Sequence, residues 1–458
     1  MNAFTKLRNY KIEQKIKEDL FEKAKKVLDE NWVELPNGLG YTRPADKLYP
    51  FQWNWDSGFT AYGYCHYDIE KAIKEMDSLF FGQWKNGFLP SIVFHIPSGN
   101  YFTNAEFWNV KKVTDQAPNV DTSGISQPPV HALAIWHIYK KLLEKDYKKA
   151  IKFLEEYYPR LFKLHKYYLE KRDPEGTGLV TIYHPWESGF DNSPRWDEIL
   201  SRIKVDKDDI PPYKRHDINV VDKKYRPSDE DYDKYVYLAI LLKNNGYEDE
   251  RIYRNHPFRI KDKVFSTILY IANKRLLAMS GILKTGDDNE IKEWMRRFEF
   301  SFYHILWNEE DKLCYDFDLT THKQIKIKSV DSLLPVILAG IFPRSKIKQL
   351  AYHLDSVNFC GKNMCKVKLL PSLDIRDERF SQYLYWRGPI WINVNWLIWK
   401  GFMEYQLKER ARDFQIHILN LVNREGFWEY YSPLTGKGLG ADNFSWTAAL
   451  TIDLLNHL

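Results

Sequence analysis

Apolar residues recur at four-residue intervals near the start of the chain. Between residues 10 and 31, Ile12, Ile16, Leu20 and Ala24 follow this spacing, with Lys and Glu among them. The spacing matches one face of a helix and therefore predicts an amphipathic helix. Similar patterns predict further helices at 57–77, 129–145, 147–171, 229–245, 264–280, 287–308, 330–340, 344–355, 389–404, 406–423 and 445–457. The chain is thus predicted to contain about twelve helices.

Strand-like alternation is confined to short pieces of the sequence. Residues 313–318 and 323–327 alternate apolar and polar positions on either side of a short polar segment. This pattern predicts a β-hairpin attached to a helical body. The predicted fold class is therefore all-α with a minor hairpin.

Two features narrow the arrangement of the helices. No period of about thirty to fifty residues repeats along the chain, which argues against a superhelical repeat array. Residues 391–399 and 444–452 are apolar on nearly all sides, as is typical of helices buried on every face. These features predict an (α/α)6 barrel, in which a closed ring of six inner helices lies inside six outer helices.

Long aromatic loops separate the predicted helices, and no linker composition divides the chain. We therefore expect residues 1–458 to form a single domain. Loops of this length are uncommon in compact domains unless they are functional. We expect them to build one face of the barrel, with those near 79–128 and 173–232 folding over the site as a cap. The loops are 32–56, 79–128, 173–228, 357–388 and 424–444.

Composition and charge mainly exclude classes of function. Aromatic residues make up 16% of the 458 residues, an excess that suits either carbohydrate-binding surfaces or a large helical core. The net charge of +5 comes from interspersed Lys, Arg, Asp and Glu, without the basic patch of a nucleic-acid-binding protein. No apolar run approaches the roughly 20 residues of a membrane span. We expect neither nucleic acid nor membrane as a partner, and leave a homo-oligomer open.

Cysteine usage and the first residues bear on location and on metals. Cys65, Cys314, Cys360 and Cys365 are few for this length, and Met1–Lys6 contains no apolar segment typical of a signal peptide. These features predict a cytoplasmic protein. The last two cysteines lack a second Cys/His pair at zinc-binding spacing, so we expect neither a metal nor a cofactor.

Four loop segments combine tryptophan with polar or charged side chains. Residues 184–197 hold carboxylates, aromatic rings and turn-forming residues without helical or strand periodicity. Such a composition is typical of an ordered functional loop. The other three segments are 49–58, 383–391 and 426–433, the last continuing to residues 444–446.

In this order, the segments resemble glycoside hydrolase family 63 and the related trehalases. Residues 187–196 are similar to the acid-bearing loop of that group, and residues 385–391 to its sugar-binding loop. Residues 429–431 together with 444–446 are similar to its base-bearing region. The resemblance extends over residues 40–458. It implies an (α/α)6 barrel and an inverting α-glycosidase, in agreement with the fold expected from the helix pattern.

The resemblance also implies catalytic roles for two carboxyl groups. An inverting glycosidase uses one carboxylic acid to protonate the leaving oxygen and one carboxylate to activate water on the opposite face. Asp191 matches the general acid, and the neighbouring Trp186, Phe190 and Trp196 would raise its pKa so that it stays protonated near neutral pH. Glu429 matches the general base.

Spacing alone leaves alternatives to both assignments. Asp191 precedes Asn-Ser-Pro and is also in a position typical of a helix cap or turn, and Glu429 could pair with a surface lysine. Glu187 is the rival acid, and Glu425 is the rival base. The match to the family favours Asp191 and Glu429.

Residues of the same loops are candidates to bind a sugar. Asp56 could accept hydrogen bonds from sugar hydroxyls, or could cap a helix that starts at Ser57. The tryptophans are stacking platforms or ordinary core, and the resemblance favours the platform role for Trp386 and Trp391. The candidate sugar-binding residues are Trp53, Trp55, Asp56, Tyr385, Trp386, Gly388, Trp391 and Trp446.

The chain length is close to that of compact bacterial members of the family that resemble glucosylglycerate and mannosylglycerate hydrolases. Such a substrate carries a carboxylate, which an arginine binds well as a bidentate pair. The segment beginning at Arg226 resembles the glycerate-binding segment of those enzymes, so Arg226 and Tyr232 are candidates for this contact. Tyr49, Tyr101 and Gln127 match further substrate contacts.

Three functions follow from the sequence. The favoured one is inverting hydrolysis of a small charged glycoside, glucosylglycerate or mannosylglycerate, to hexose and glycerate. A neutral α-glucosidase or trehalase-type hydrolase is the first alternative, and it would suit an Arg226 that merely forms a surface ion pair with Asp229 or Glu230. A non-catalytic glycan-binding protein is the second alternative, although the presence of both carboxylates favours an enzyme.

Overall fold

The computed structural model describes residues 14–338, 340–361 and 364–458. Residues 10–13 of the first predicted helix, residue 339 of the helix predicted at 330–340 and residues 362–363 of a predicted loop lie outside the described residues. The α-helices of the described chain are α1 Gln14–Asn31, α2 Asn54–Tyr64, α3 Ile69–Phe81, α4 Ala105–Trp108, α5 Val110–Val113, α6 His131–Leu143, α7 Tyr147–Lys171, α8 Asp197–Ser201, α9 Asp217–Val220, α10 Asp229–Asn244, α11 Asp249–Asn255, α12 Lys263–Leu283, α13 Asp288–Ser301, α14 Arg344–Leu354, α15 Ile392–Glu404, α16 Lys408–Glu425 and α17 Ser445–Leu455.

Six inner elements pack side by side in a closed ring within the described chain. Going around, α2 contacts α6, α6 contacts α12, and α12 contacts the 3-10 helix Val330–Ile337; this contacts α15, α15 contacts α17, and α17 returns to α2. Every residue of α2 and α17 is buried, as expected of helices surrounded by other helices. The inner-ring prediction for residues 391–399 and 444–452 is therefore confirmed.

The outer helices each lie against an inner element. Helices α1, α3, α7, α13, α14 and α16 pack on α17, α2, α6, α12, the 3-10 helix and α15 respectively. These helices bury one stripe rather than all faces; α1, for example, buries Leu20, Ala24, Val27 and Leu28. The difference in pattern between the inner and outer helices thus follows from their place in the barrel. The prediction of an (α/α)6 barrel is confirmed.

The predicted helix at 57–77 is wrong in its continuity. The chain forms α2 and α3 instead, separated by a turn at residues 65–68. The side chain of Asp68 caps α3, since its Oδ1 accepts a hydrogen bond from the backbone N–H of Lys71 at 3.1 Å. Such a cap satisfies one of the free N–H groups at a helix start and stabilises the second helix as a separate element.

Two other predicted helices differ in their type or length. The helix expected at 330–340 is a 3-10 helix over Val330–Ile337, and it contains Pro335, which has no backbone N–H to donate within an α-helix. The helix expected at 287–308 ends at Ser301 and continues as a π-turn over Phe302–Leu306.

The β-structure is minor and lies between the helices. The predicted hairpin is confirmed, because β10 (Asp316–Asp318) and β11 (Lys323–Ile325) pair antiparallel. Strands β7 (Ile260–Lys261) and β6 (Thr181–Ile182) extend them into a four-stranded sheet in the order β11-β10-β7-β6. The strands are β1 Trp32–Glu34, β2 Gly40–Thr42, β3 Gln52–Trp53, β4 Ile92–Phe94, β5 Asp121–Thr122, β6 Thr181–Ile182, β7 Ile260–Lys261, β8 Trp307–Asn308, β9 Leu313–Cys314, β10 Asp316–Asp318, β11 Lys323–Ile325, β12 Tyr430–Tyr431 and β13 Gly438–Leu439.

Two further features concern the cysteines and the hydropathy of the helices. Cys360 and Cys365 are joined by a disulfide, whereas Cys65 and Cys314 are buried thiols. Among the residues that the structure describes, no helix has both the length and the apolar character needed to cross a bilayer.

Candidate active site

A cleft lies at the end of the barrel where several inner helices begin. Trp53 and Trp55 lie at the start of α2, Gln127 shortly precedes α6, and Trp446 lies in the first turn of α17. Residues far apart in the chain therefore meet there because the ring is closed.

The cleft has an inner and an outer compartment, with cavity volumes of about 70 and 120 Å³. The inner compartment is lined by Pro44, Tyr49, Trp53, Trp55, Asp56, Gln127, Gly189, Asp191, Tyr385, Trp386, Glu429, Phe444 and Trp446. The outer compartment shares Tyr49, Trp53, Gln127, Asp191 and Tyr385, and adds Leu48, Ser91, Ile92, Tyr101, Phe102, Thr103, Trp108, Ile125, Trp186, His216, Asp217, Arg226, Pro227 and Tyr232. Asp191 thus lies at the junction of the two compartments.

Glu429 is buried and held by three donors. The hydroxyl of Tyr49 donates to its Oε1 at 2.9 Å, and Arg226 Nη2 and the backbone N–H of Ala441 donate to its Oε2 at 3.1 and 3.0 Å. Tyr49 in turn lies 3.2 Å from Arg226 Nη1 and 3.3 Å from the hydroxyl of Tyr385. These contacts orient both oxygens of the Glu429 carboxylate against the inner compartment.

Asp191 has the electrostatic character of a carboxylic acid near neutral pH. Burial raises the pKa of Asp191 to about 7, the Arg226 charge opposes this rise, and the Glu429 carboxylate adds to it. The backbone carbonyl of Asp191 accepts a hydrogen bond from the Tyr235 hydroxyl at 3.2 Å. Asp191 can therefore carry a proton at the junction of the compartments while a second carboxylate lies close by.

The loop that carries Asp191 is attached to the loop of residues 383–391. Asn192 Oδ1 accepts a hydrogen bond from the backbone N–H of Trp386 at 2.8 Å, and the Phe190 ring lies against Trp386 with a centroid separation of 4.2 Å. Trp196 Nε1 donates to the Phe190 carbonyl at 2.9 Å. These contacts fix Asp191 relative to the wall of the inner compartment.

A buried ion cluster anchors the same loop from below. Arg195 is fully buried, and its Nη1 lies 3.2, 2.7 and 3.1 Å from carboxylate oxygens of Asp262, Asp316 and Asp331. Lys263 Nζ lies 2.7 and 2.5 Å from oxygens of the last two carboxylates. Although burial acts to raise it, Arg195 and Lys263 lower the pKa of Asp316 to about 2. The cluster joins the Asp191 loop to α12, to β10 and to the inner 3-10 helix.

Asp56 lies within the first turn of α2, because that helix begins at Asn54 with Trp53 in the N-cap position. The alternative in which Asp56 caps a helix starting at Ser57 is therefore wrong. Burial, and then the charge of Glu429 among others, raises the pKa of Asp56 well above its usual value. Its carboxyl group faces the inner compartment, where it can hydrogen-bond a sugar hydroxyl as donor or acceptor.

Two predicted sugar-binding residues lie behind the wall of the cleft. Trp391 stacks on Trp386 with a centroid separation of 3.8 Å, and its Nε1 donates to the Tyr385 carbonyl. Gly388 has a φ of +153°, and a Cβ there would lie 2.3 Å from the Ser381 carbonyl oxygen. Both residues support the wall that Tyr385 and Trp386 present to the cleft. The other predicted substrate-binding residues line one or both compartments.

The two rival carboxylates have other partners. Glu187 is fully buried and forms a bidentate pair with Arg172, at 3.0 Å for each bond, while accepting from the backbone N–H of Tyr183. Glu425 lies at the end of α16, where it pairs with the adjacent Arg424. Their surroundings favour structural roles for both.

The structure also brings residues to the outer compartment that no sequence motif indicated. His216 and Asp217 come from the long loop before Arg226, and Phe102 and Thr103 come from the loop after α3. The two loops touch each other, since the Phe102 and Tyr213 rings stack at 4.7 Å. Only an aromatic and charged composition marked these loops, and it does not specify which side chains point inward.

Comparisons with known proteins agree with this geometry. Residues 49–447 match the family described as mannosylglycerate hydrolase MGH1-like glycoside hydrolase domain. A mannosylglycerate hydrolase from Thermus thermophilus is 40% identical over 90% of this chain and 96% of its own length. A glucosylglycerate hydrolase from Mycolicibacterium hassiacum is 34% identical over 92% and 95%.

A solved structure gives the same result for the fold. The crystal structure of a GH63 mannosylglycerate hydrolase from a second strain of Thermus thermophilus, in complex with Tris and D-glycerate, has a TM-score of 0.86 and 39% identity, covering 95% of this chain and 99% of that one. This chain therefore belongs to the mannosylglycerate hydrolase MGH1-like glycoside hydrolases of family 63.

Proposed function

We propose that this glycoside hydrolase cleaves an α-linked hexosyl glycerate, with mannose or glucose as the hexose, with inversion at the anomeric carbon. The observation that carries this proposal is the position of Arg226. It is buried, contacts Glu429 and also lines the outer compartment. A fixed cation beside the leaving-group compartment suits an aglycone that carries a carboxylate.

The proposed roles follow from the two compartments. The hexose occupies the inner compartment, and the aglycone occupies the outer one, so that the glycosidic oxygen lies near Asp191. Asp191 donates its proton to that oxygen as the bond to the anomeric carbon breaks. Glu429 accepts a proton from the water whose oxygen attacks the anomeric carbon from the opposite face. The products are the free hexose and glycerate.

The surroundings of Arg226 support a glycerate contact. The alternative of a surface ion pair with Asp229 is not what the structure has, since Asp229 pairs with Arg215 and Lys223. Arg226 Nε is buried and has no hydrogen-bond partner in the described part of the chain. This N–H can donate to a substrate carboxylate, with Tyr101 and Tyr232 on the same compartment wall.

We further propose that the loops 79–128 and 173–232 act as a cap on a single catalytic domain. Tyr101 of the first loop contacts His216 of the second at a centroid separation of 5.0 Å. His216 Nε2 lies 3.0 Å from the Lys47 carbonyl, on a third loop. These contacts support closure of the outer compartment around a small aglycone.

A panel of substrates tests the proposal. The purified protein is assayed on mannosylglycerate, glucosylglycerate, trehalose and kojibiose, and the first anomer released is read by proton NMR. We expect one of the two glycerates to be the best substrate, with the inverted anomer as product. A preference for trehalose or kojibiose would instead support the neutral-hydrolase alternative, and a complete lack of hydrolysis would support a glycan-binding protein.

Arg226→Gln makes the test specific for the glycerate. Since Arg226 also contacts Glu429, activity on every substrate should fall, but the loss should be larger for a hexosyl glycerate than for the matching methyl hexoside. The exposed Arg251, which pairs with Glu248, provides the control variant Arg251→Gln. Equal losses on the charged and uncharged substrates would contradict the glycerate contact.

We further propose a cytoplasmic location and the formation of a homo-oligomer. The disulfide between Cys360 and Cys365 argues against the first, because such bonds form mainly in oxidising compartments. Cell fractionation together with a thiol count on the native protein tests the location, and light scattering tests the oligomeric state.

A further inference from the structure

A second cluster of chemically reactive side chains lies at the opposite end of the barrel from the cleft. It consists of His66 in the turn after α2, His137 in α6 and Asp453 near the end of α17. His66 Nε2 lies 3.0 Å from Asp453 Oδ1, and one potential ligand atom from each residue lies within 4.8 Å of the others. Three inner-ring segments thus contribute one such atom each.

His137 provides independent evidence that the cluster accommodates a ligand. Its Nε2 is buried and has no hydrogen-bond partner among the described residues, although buried polar atoms are nearly always paired. The imidazole is stacked on Tyr62 at a centroid separation of 4.7 Å.

Asp453 is prepared as an anionic ligand by its own contacts. Lys400 Nζ at 3.4 Å and Trp396 Nε1 at 2.9 Å both approach Oδ2. Oδ1 is the oxygen that faces His66 and His457.

We propose that His66, His137 and Asp453 form a Zn²⁺ site, with water as the fourth ligand. Neutral imidazole and carboxylate are ordinary zinc ligands, and bonds of about 2.0–2.1 Å place tetrahedral ligands roughly 3.3 Å apart. His457 Nε2 lies 3.6 Å from Asp453 Oδ1, and its side chain is 38% exposed. His457 lies outside the three-residue group and marks the partly exposed side of the cluster.

The position of the cluster assigns it a role in holding the barrel closed. α2 is the first inner helix in the chain and α17 is the last, and they are neighbours in the ring. At about 1.5 Å per residue, His66 lies about 15 Å along the barrel from Asp56 in the cleft. An ion there would tie the two ends of the ring together without touching the substrate.

Zinc binding is measured on the full-length protein after treatment with a chelator. ZnCl₂ is titrated by calorimetry, and Co²⁺ absorption reports tetrahedral geometry. We expect one tightly bound ion, a rise in Tm on binding, and at least about 100-fold weaker binding in His66→Gln and in His137→Gln. His304→Gln, at an exposed histidine of the π-turn, is the matched control and should bind like the parent protein.

X-ray absorption of the zinc-loaded parent protein identifies the zinc ligands directly. It therefore tests the proposal even if the variants fail to fold. The expected first shell contains nitrogen and oxygen, with imidazole scattering from at least two histidines. Sulfur ligands would overturn the proposal. It would equally be overturned by the lack of any zinc binding in the parent protein, or by unchanged affinity in both folded histidine variants.

Discussion

Arg226 acts on the two carboxyl groups of the cleft in different ways. It pairs with Glu429 at 3.1 Å and so orients that carboxylate. At Asp191, burial raises the pKa to about 7, and the charge of Arg226 limits that rise. One buried cation therefore acts on the proposed base by contact and on the proposed acid through its field.

The pKa of Asp191 predicts the pH dependence of the reaction. A general acid has to be protonated, so kcat/KM should fall as pH rises through about 7. Arg226→Gln removes a charge that lowers this pKa, so the alkaline limb of the profile should move to higher pH. Lys223→Gln, at an exposed lysine that pairs with Asp229, is the control. An alkaline limb that stays in place or moves to lower pH in Arg226→Gln would contradict this electrostatic role.

The proposed roles predict different responses to the leaving group. Asp191→Asn should lower kcat by about 10²- to 10⁴-fold on the natural type of glycoside, but by much less on a dinitrophenyl glycoside, whose leaving group needs no proton. Glu429→Gln should lose activity on both substrates because water activation is still required.

Glu425→Gln, at the rival position beside Arg424, is the control and should retain activity. Initial rates on the two substrates provide the measurement. Full activity in Asp191→Asn or in Glu429→Gln would remove that residue from the mechanism.

The sequence alone does not decide which of two neighbouring carboxylates is the candidate general acid. Glu187 and Asp191 lie four positions apart in one aromatic loop, and spacing alone allows either to be the acid. The structure separates them because Arg172 neutralises Glu187 in the core, while Asp191 lines the cleft. Only the position of a third, distant side chain makes that distinction.

At the scale of elements, the Asp191 loop depends on the ion cluster around Arg195. Three carboxylates share two cations there, with every member buried. Arg195 also lies over the Trp196 ring at 4.2 Å. The loop is therefore fixed by side chains from the sheet and from two inner elements, and not by its own turns alone.

Arg195→Met should destabilise the fold strongly. Removal of one partner leaves buried carboxylates without compensation, which costs about 3–5 kcal/mol of unfolding free energy. The exposed pair of Arg254 with Glu250 provides the control, since Arg254→Met should cost only about 0–1 kcal/mol. Urea unfolding followed by circular dichroism measures both. Equal costs for the two variants would show that the cluster is not an anchor.

At the scale of the whole molecule, the ring closes where α2 meets α17. Gly63 allows the two helices to approach closely, because a Cβ there would lie 2.7 Å from Ala449 Cα and 2.8 Å from its Cβ. The end of the chain is thereby packed against its first inner helix.

Gly63→Ala should destabilise the barrel despite the better helix propensity of alanine. We expect a loss of about 1–3 kcal/mol from overpacking. Gly281→Ala in α12, where a Cβ would meet open space, is the matched control and should be neutral or stabilising by up to about 1 kcal/mol. Thermal and urea unfolding compare the two. A neutral Gly63→Ala variant would mean that the helix contact adjusts freely.

Local chemistry in the sequence was sufficient for the fold class, the inner-ring segments and the family. It was not sufficient for the helix count, since the described chain has 17 α-helices instead of about twelve. The apolar spacing of an outer helix, the all-round apolar character of an inner helix and the motifs around Asp191 and Glu429 are all patterns among residues close together in the chain. The boundaries and types of some helices differed from the predictions. The cap at Asp68 begins a new helix, and Pro335 lies in a 3-10 helix, although the apolar spacing alone predicts a continuous α-helix at each place.

Only the tertiary structure decided which distant side chains meet. The pairing of Arg226 with Glu429, the ion cluster of Arg195 and the grouping of His66, His137 and Asp453 join residues tens to hundreds of positions apart. No metal site was predicted from the sequence, because that prediction considered only the spacing of the cysteines. Spacing along the chain does not report these contacts, because closure of the helical ring, and not local propensity, brings the partners together.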